Sequence, residues 1–466
     1  MSSPPPAPPA APAPAATGAA AAAQSLQHHL RPGTLRLAAL PPLALYVHLP
    51  WCLQKCPYCD FNSHELAPRL PAVATPRGGS TRTGEPGSGS ARAAASLDPA
   101  LEQRYLDALV ADLESSLPLV WGRRVASVFI GGGTPSLFSP DGIGRLLADV
   151  RARLPLEPAA EITLEANPGT FERERFRAFR AAGVTRLSIG VQSFDDAMLE
   201  RLGRVHDAAQ ARAAVTEAAA AFDTYNLDLM YALPGQTVEH LGRELDTALG
   251  FAPPHLSIYH LTLEPNTVFA TRPPPGLPDD DTASAMLDLI AERTAANGLE
   301  RYEVSAFARP GHRCRHNLNY WQFGDYLGIG AGAHGKLSFP HRVLRQVRWR
   351  EPAAYMQQAL AGTPMSNEHE VARRDLPFEF MMNALRLREG FALASFVERT
   401  GLPRSAVEAA LAEAERRGLV HREAASGPDS DAPAAEWVRP TARGFDFLSD
   451  LQALFLPAEP RSAREG

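Results

Sequence analysis

The stretch that decides the fold is Tyr46-Val-His-Leu-Pro-Trp-Cys52-Leu-Gln-Lys-Cys56-Pro-Tyr-Cys59-Asp-Phe61. It holds three of the four cysteines of the chain within eight residues, at a C-x3-C-x2-C spacing. A structural zinc site normally takes four ligands, often from two C-x2-C pairs, and the sequence has no second pair. A [4Fe–4S] cluster is normally held by four thiolates, so three thiolates would leave one iron open to a small molecule.

Two other interpretations would give these cysteines a purely structural role. Reduced cysteines can pack as small apolar side chains, but clustering at this spacing is rarely accidental. A disulfide would leave one of the three thiols unpaired within the loop, and nothing in the sequence indicates secretion. The spacing therefore favours a cluster with an open iron.

The cysteine spacing resembles that of the radical S-adenosylmethionine (SAM) superfamily. In that family the open iron binds the amino and carboxylate groups of SAM, and an electron from the cluster splits SAM to methionine and a 5′-deoxyadenosyl radical. The residues around Cys52, Cys56 and Cys59 resemble the branch of anaerobic coproporphyrinogen III oxidases and related heme chaperones. The oxidases carry another cysteine two residues after the triad. Phe61 stands at that position, which is similar to the heme chaperones.

Length and composition favour a soluble protein of two domains. The chain has 466 residues, of which 45% are hydrophobic, and a formal net charge of -6. This charge gives no general attraction to nucleic acid or to anionic membranes. No apolar run has the length and the boundaries of a membrane span. We expect a cytoplasmic protein that binds no nucleic acid and contacts membranes only peripherally, through its partners.

Composition also divides the chain into segments. Residues 1–40 are mostly Pro and Ala and predict a disordered tail, and the first thirty residues contain no Lys or Arg of a targeting signal. Residues 41–365 form the predicted radical SAM domain, with a flexible Pro/Gly/Ser-rich insertion at 65–97. Residues 366–458 form a predicted C-terminal domain, followed by a tail at 459–466.

Strand-like and helical segments alternate along the first domain. The predicted strands are 43–49, 125–130, 161–166, 186–191, 225–231 and 256–263, and the predicted helices include one capped by Asp98, 171–182 and 208–221. This alternation predicts an α/β fold with a parallel sheet, and six units predict a partial (βα)6 barrel. In such folds the functional residues lie at the carboxyl ends of the strands.

Candidate site residues follow several of these strands. Gly131-Gly132-Gly133-Thr134 comes directly after one strand, and consecutive glycines let the backbone approach a ligand and offer its N–H groups. Glu165 and Gln192 come at the ends of two others, and a further strand, 225–231, carries Asp228. Taken singly, they fit a helix cap, a loop hydrogen bonder and a strand-end ion pair. Their shared position at strand ends predicts one common site.

The resemblance implies a role for each position. The cluster would be ligated by Cys52, Cys56 and Cys59. The cluster-bound SAM would be contacted by Tyr46, Gly132 and Glu165. A second SAM would be bound by Gly133, Thr134, Gln192, Arg204 and Asp228.

A second motif is His316-Asn-Leu-Asn-Tyr320-Trp321. An imidazole can ligate heme iron and aromatic faces can stack on a porphyrin, although a buried polar histidine among core aromatics gives the same pattern. The H-N-x-x-Y-W arrangement resembles the heme chaperones, in which it is proposed to bind heme. Cys314, two residues upstream, is either a further soft ligand or a plain thiol.

The C-terminal part predicts a winged-helix-like α+β domain. Helical segments at 393–399 and 406–417 form a helix-turn-helix pattern, and 419–421 and 436–439 are the predicted wing strands. Such modules often bind DNA, but residues 366–458 contain 11 Arg, no Lys and 15 acidic residues. A phosphate-binding surface needs an excess of positive charge. A packing or substrate-lid role is therefore favoured over a DNA-binding regulator with an Fe–S sensor.

Together these features predict a heme chaperone on a radical SAM scaffold. It would bind a [4Fe–4S] cluster, SAM and heme, receive an electron from a reducing donor, and deliver heme to hemoproteins of the respiratory chain. The alternative is an enzyme of porphyrin biosynthesis, the oxygen-independent coproporphyrinogen III oxidase, which converts two propionates to vinyl groups. Phe61 favours the chaperone, and the sequence leaves open whether SAM is cleaved.

Overall fold

The computed structural model describes residues 30–66, 97–170, 173–425 and 435–457. The strands are β1 Leu43–Leu49, β2 Trp51–Cys52, β3 His64–Glu65, β4 Val125–Gly132, β5 Leu156–Ala166, β6 Arg186–Gln192, β7 Tyr225–Tyr231, β8 His255–His260, β9 Glu300–Arg301, β10 Ala306–Ala308, β11 Asp325–Ile329, β12 His334–Phe339, β13 Arg342–Arg348, β14 Met365–Glu370, β15 Phe391–Ala392, β16 Val420–Ala425 and β17 Ala435–Pro440.

The helices lie mostly between these strands. They are Pro99–Ser116, Pro140–Arg153, Arg173–Ala182, Asp196–Arg201, Ala208–Ala221, Val238–Gly250, Val268–Thr271, Asp280–Ala296, Arg315–Trp321, Pro352–Leu360, Leu376–Ala384, Leu393–Thr400, Ser405–Arg416, Ala442–Asp446 and Leu448–Ala453. Among the described residues, no helix combines the length and the apolar character that a membrane crossing requires.

Twelve strands form one sheet in the order β14-β13-β12-β11-β1-β4-β5-β6-β7-β8-β10-β9. Parallel pairing joins β1 to β4 and continues strand by strand to β8. These six strands are the predicted parallel units, and the predicted α/β barrel-like fold is confirmed. β11 adds a seventh parallel strand beside β1, and β12 to β14 extend the sheet in antiparallel fashion.

The strand sequences explain why this layer is buried on both faces. In β1, Leu45 and Val47 belong to the main core, which also contains Tyr105 and Leu109 of the helix Pro99–Ser116. That helix begins at Asp98, whose side chain accepts from two backbone N–H groups of the first turn, as predicted. Parallel strands covered on both faces take near-continuous apolar sequences.

Some strands begin or end at other residues than the sequence predicts, because the bounds of a strand depend on where its partner strand begins or ends. β8 ends at His260 rather than at residue 263, because its neighbour β7 ends at Tyr231, the partner of His260 in the register. β5 begins at Leu156 rather than at residue 161, since Leu156 already pairs with Val125. Bounds of this kind depend on the partner strand, which local sequence does not contain.

The C-terminal residues form a second core. β15, β17 and β16 make a three-stranded sheet beside the helices Leu393–Thr400 and Ser405–Arg416, and the predicted winged-helix-like arrangement is present. The helix predicted at 406–417 begins and ends one residue earlier, at Ser405 and Arg416. Phe447 separates the last two short helices, Ala442–Asp446 and Leu448–Ala453.

The packed chain also begins earlier than the predicted boundary at residue 41. Leu35 and Leu37 are buried in the C-terminal core, and their N–H groups donate to the carbonyls of His341 and Pro340. The last part of the predicted 1–40 tail is therefore structured. The rest of that tail up to residue 29, residues 67–96 of the predicted 65–97 insertion, and the chain from 458 onward lie outside the described residues. The two ends of the predicted insertion are structured, because Glu65 belongs to β3 and Leu97 is buried in the main core.

Candidate functional site at the carboxyl ends of the strands

A cavity of about 330 Å³ opens at the carboxyl ends of the parallel strands. Ten of the predicted cluster and SAM residues line it, namely Cys52, Cys56, Cys59, Gly132, Gly133, Thr134, Glu165, Gln192, Arg204 and Asp228. They come from the cysteine loop after β1, from the carboxyl ends of β4, β5 and β6, from the middle of β7 and, for Arg204, from the loop after the helix Asp196–Arg201. The structure thus brings together residues that sequence reasoning assigned to one site.

Polar side chains surround the first two cysteine sulfurs. The hydroxyl of Thr134 donates to Cys52 Sγ over 3.5 Å, and Arg204 Nη1 donates to Cys56 Sγ over 3.5 Å. Hydrogen bonds to sulfur and nearby charge adjust the properties of Fe–S centres. A half-buried guanidinium beside the cysteine sulfurs also offsets the negative charge that a thiolate-bound cluster would carry.

Burial keeps the thiols of Cys52 and Cys59 protonated at neutral pH. Burial raises the pKa of Cys52 to about 11, and burial also raises the pKa of Cys59, whose sulfur lies 3.7 Å from Ser63 Oγ. Metal binding replaces these protons, because thiolates are the ligand form. Across the described ranges, no three Cys, His, Asp or Glu side chains are grouped to hold a single metal ion. The donor set of three thiols on one cavity fits an open-iron cluster.

The glycine run at the end of β4, Gly131 to Gly133, packs against the cysteine loop. The N–H of Gly133 donates to Leu49 O over 2.8 Å, and the N–H of Gly132 donates to Glu165 Oε2 over 3.0 Å. A Cβ at Gly133 would lie 2.6 Å from Trp51 O. The expectation that these N–H groups face a ligand was wrong for both glycines. The missing side chain of Gly133 instead allows two backbones to meet at the cavity, and that of Gly132 leaves room for the His48 ring.

Two half-buried carboxylates, those of Glu165 and Asp228, face the cavity together. Burial raises the pKa of Glu165 to about 8, and repulsion from Asp228 contributes in the same direction. Burial also raises the pKa of Asp228, although Asn226 and Ser188 donate to its two oxygens over 2.7 and 3.0 Å. A positive charge between such groups would stabilise their ionised forms. The pair is therefore suited to a cationic ligand.

Gln192 and Arg204 show signs of a site shaped for a ligand. Gln192 has a φ of 66°, a left-handed conformation that costs a non-glycine residue about 1 kcal/mol or more. Arg204 Nη2 donates to Gly190 O over 2.8 Å, whereas its buried Nε has no hydrogen-bond partner among the described residues. A buried donor without a partner beside the cysteines indicates a group that the cavity is built to accept.

Tyr46 is not among the residues that line the cavity. Its hydroxyl lies 2.9 Å from His48 Nδ1, and His48 Nε2 lies 2.9 Å from Asn62 O. The carbonyl of Asn62 requires a donor at Nε2, so Nδ1 accepts from Tyr46, and burial keeps the ring neutral by lowering the pKa of His48 to about 4. This chain ties β1 to the end of the cysteine loop. The predicted SAM contact of Tyr46 stays a prediction.

Sequence reasoning missed several residues of the site. His48 was given no role, although a histidine inside a buried strand of the decisive stretch was a usable signal. Further residues that line the cavity are Gln54, Tyr58, Asn167, Ser188, Met230, Tyr259, His260 and Glu264. Most of them stand at or just beyond strand ends, so the rule that located Asp228 would also have located them.

The H-N-x-x-Y-W motif lies apart from this cavity. His316 Nδ1 is 3.5 Å from Ser127 Oγ, near the amino end of β4, and its ring packs 4.9 Å from that of Phe129. Burial lowers the pKa of His316 to about 4, so the imidazole is neutral. The two predicted sites therefore occupy opposite ends of the barrel interior.

The rest of the motif lies at the junction with the C-terminal domain. The rings of Tyr320 and Trp321 meet edge to face at 5.0 Å, and the guanidinium of Arg386 lies 4.3 Å from the centre of the Trp321 ring. Trp321 Nε1 is buried and has no hydrogen-bond partner among the described residues. Cys314 is buried and donates to Glu161 over 3.5 Å, as the plain-thiol alternative predicts.

Comparisons with known proteins agree with this fold and site. The model of the radical SAM superfamily matches residues 46–248, and that of the HemN C-terminal domain matches residues 371–426. The solved structure of coproporphyrinogen III oxidase (HemN) from Escherichia coli, a radical SAM enzyme, aligns with a TM-score of 0.68 at 23% identity. The alignment covers 89% of this chain and 90% of that chain. Fold and site thus define a radical SAM protein.

Relatives with a higher sequence identity show to which family of radical SAM proteins the chain belongs. The heme chaperone HemW of Escherichia coli is 43% identical, over 90% of this chain and 100% of its own length. The heme chaperone HemW of Haemophilus influenzae is 42% identical, over 90% of this chain and 99% of its own. The chain belongs to the HemW family of radical SAM proteins, and the family resemblance seen in the sequence is confirmed.

Replacing Gly133 by Ala should force the cysteine loop away from β4. The new Cβ would lie 2.6 Å from Trp51 O and 2.8 Å from Pro50 O, so a backbone must move at a cost of about 1–3 kcal/mol. We expect clearly less iron and sulfide per chain after anaerobic reconstitution. Gly144→Ala is the matched control, since its Cβ would meet only Ala182 at 3.6 Å. Equal iron content in both variants would contradict the close-packing argument.

Proposed function

We propose that this protein is a heme chaperone that binds a [4Fe–4S] cluster, SAM and heme and delivers heme to hemoproteins of the respiratory chain. The observation that carries the proposal is the cavity shared by the cysteine triad, the glycine run and the carboxylate pair, with Phe61 at its mouth. Membership of the HemW family supports the same conclusion, because its curated relatives are named heme chaperones.

In this proposal the cavity holds the cluster and SAM. Cys52, Cys56 and Cys59 ligate the cluster, which supplies an electron to SAM when both are bound. Glu165 and Asp228 suit the positive charges of SAM, its ammonium and its sulfonium. The orphaned Nε of Arg204 provides a donor beside the cluster. Tyr46, Gly132, Gly133, Thr134 and Gln192 complete the proposed contacts, and occupancy by a second SAM remains part of the proposal.

Phe61 separates the chaperone from the oxidase. Its side chain lines the cavity and is 59% exposed, at the position where the oxidases carry a cysteine. A phenyl ring can neither donate a hydrogen atom as a thiol does nor ligate iron, but it offers an apolar face to a flat ligand. This position therefore supports binding in preference to oxidative decarboxylation.

The proposed heme site is the H-N-x-x-Y-W helix. A neutral His316 can ligate iron without losing a proton. The buried Trp321 Nε1 has no hydrogen-bond partner among the described residues, which is consistent with a donor that binds a ligand. Phe129 packs on the His316 ring at 4.9 Å and Tyr46 lies 6.4 Å away. We therefore infer that the short helix Arg315–Trp321 moves when iron reaches the imidazole.

The C-terminal domain is proposed to pack against the barrel and not to bind nucleic acid. On its helix Ser405–Arg416 and the adjoining wing, arginines are paired with glutamates. Arg404 lies 2.7 Å from Glu436, and Arg422 lies 2.8 Å from Glu408. Paired guanidinium groups leave little free positive charge for phosphates. We propose a cytoplasmic protein whose partners are an electron donor and the heme recipients, with membrane contact only through the latter.

Changing Cys56 to Ser should remove the cluster. Two thiolates cannot hold the three irons that the triad binds, so the absorption of the Fe–S centre and most of the bound iron should be lost. Cys314→Ser is the matched control, because Cys314 is a buried thiol away from the cavity. The control should keep the iron content of the wild type. Retention of four irons per chain by the Cys56 variant would sink the cluster assignment.

Changing His316 to Ala should weaken heme binding and leave the cluster spectrum unchanged. Loss of one axial ligand should shift the Soret band of the bound heme, and we expect a loss of affinity of about tenfold, which corresponds to about 1.4 kcal/mol. His260→Ala is the comparison, since His260 lines the cavity at the other end of the barrel. Undiminished binding by the His316 variant, with loss in the His260 variant, would move the heme site to the cavity mouth.

A further inference from the structure

A chain of buried polar side chains runs through the barrel interior, away from the cavity. Asp228 and Ser188 line the cavity, and Asn226 Nδ2 lies 2.7 Å from Asp228 Oδ1 and 2.8 Å from Ser188 Oγ. On the other side, Asn226 Oδ1 is 2.7 Å from His255 Nδ1. His255 Nε2 is in turn 2.9 Å from the hydroxyl of Tyr302. These side chains form one continuous hydrogen-bonded chain.

The donors of this chain all point toward the carboxylate. Because the Asn226 amide donates to Asp228 and Ser188, its oxygen must accept from His255 Nδ1. Burial lowers the pKa of His255 well below its usual value, so the ring is neutral and Nε2 accepts from Tyr302. Ser188 Oγ donates to Asp228 Oδ2 over 3.0 Å. Both oxygens of Asp228 are thus held, and mutually polarised bonds of this kind fix its orientation.

The other end of this hydrogen-bonded chain packs against the helix Arg315–Trp321. Tyr302 is buried in a small cluster with Ala306 and Ala308, and Leu318 of the helix packs against that cluster. Glu303, the residue after Tyr302, lies 3.2 Å from Arg386, whose guanidinium covers the last residue of the same helix. Tyr302 therefore lies where the barrel, the helix and the C-terminal domain meet.

We propose that Asn226, His255 and Tyr302 are positioning residues that link Asp228 in the cavity to the helix carrying His316. SAM bound against Asp228 fixes the hydrogen-bonded side chains in the arrangement of this structure. Through Tyr302, it also fixes the position of the helix. Heme iron reaches His316 only when the helix moves, so SAM and heme oppose each other's binding. This coupling rests on the proposed heme role of His316, whereas the positioning of Asp228 does not.

The test compares Tyr302→Phe with Tyr355→Phe in cluster-loaded protein. Each change removes one buried hydroxyl, and that of Tyr355 bonds to Asp112 over 2.9 Å, outside the chain. Heme dissociation constants are measured by absorbance titration with and without saturating SAM, and SAM dissociation constants by calorimetry. In the wild type and in the Tyr355 variant, SAM should raise the heme dissociation constant about fivefold or more.

In the Tyr302→Phe variant, the heme dissociation constant should be the same with and without SAM, and SAM should bind several-fold more weakly. His255→Phe keeps an aromatic ring without the two nitrogens, and it should reproduce both effects if the Tyr302 variant does not fold. An unchanged SAM effect on heme in these variants would overturn the link. Tighter heme binding in the presence of SAM by the wild type would also overturn it.

A wild-type protein that binds no heme would refute the proposed function together with the coupling. In that case, the SAM dissociation constants alone would test whether the hydrogen-bonded side chains position Asp228. If Tyr302→Phe and His255→Phe bind SAM more weakly than Tyr355→Phe does, the positioning role is supported. Equal SAM affinities of the three variants would overturn that role.

Discussion

At the ends of β1 and β4, two backbones approach each other more closely than a side chain would permit. Gly133 donates to Leu49 O over 2.8 Å, and a Cβ at Gly133 would stand 2.6 Å from Trp51 O. The parallel pairing of β1 with β4 sets this approach. It places the cysteine loop over the glycine run and leaves Gly132 to bond Glu165 of the next strand. The position of every other group in the cavity follows from the order of the strands.

The acidic groups of the cavity favour the binding of positively charged ligands. Burial raises the pKa values of Cys52, Cys59, Glu165 and Asp228, so the acids of the site resist ionisation without a cation. Arg204 is the half-buried cation beside them. Iron bound to the thiols and a cationic ligand at the carboxylates would release the protons that these groups hold. Cofactor binding is therefore expected to be linked to proton release.

Much of this account was predictable from local sequence. The cysteine spacing, the glycines at the end of β4 and the polar residues at or near strand ends are short-range signals, and they identified nine residues of one cavity. The tenth, Arg204, was predicted from the family resemblance alone. The seventh parallel strand, β11, was missed because its five residues, with a glycine among them, carry little strand signal. The burial of Leu35 against the C-terminal core depends on contacts with residues some three hundred positions away.

The relation between the two predicted sites was also beyond the sequence. The motif at His316 gave no indication that its helix closes the opposite end of the barrel from the cysteines, because that placement comes from contacts with β1 and β4. The hydrogen-bonded chain through Asn226 and His255 is likewise assembled from separate strands. Pairwise geometry of this kind emerges only when the strands are ordered in space.

The central claim is that a radical SAM scaffold here serves to carry heme and not to oxidise coproporphyrinogen. It is tested most directly by anaerobic incubation of the cluster-loaded protein with coproporphyrinogen III, SAM and a strong reductant, followed by chromatography of the tetrapyrroles. The account predicts that the coproporphyrinogen is recovered unchanged by a protein that binds one heme per chain. Catalytic formation of protoporphyrinogen would contradict it.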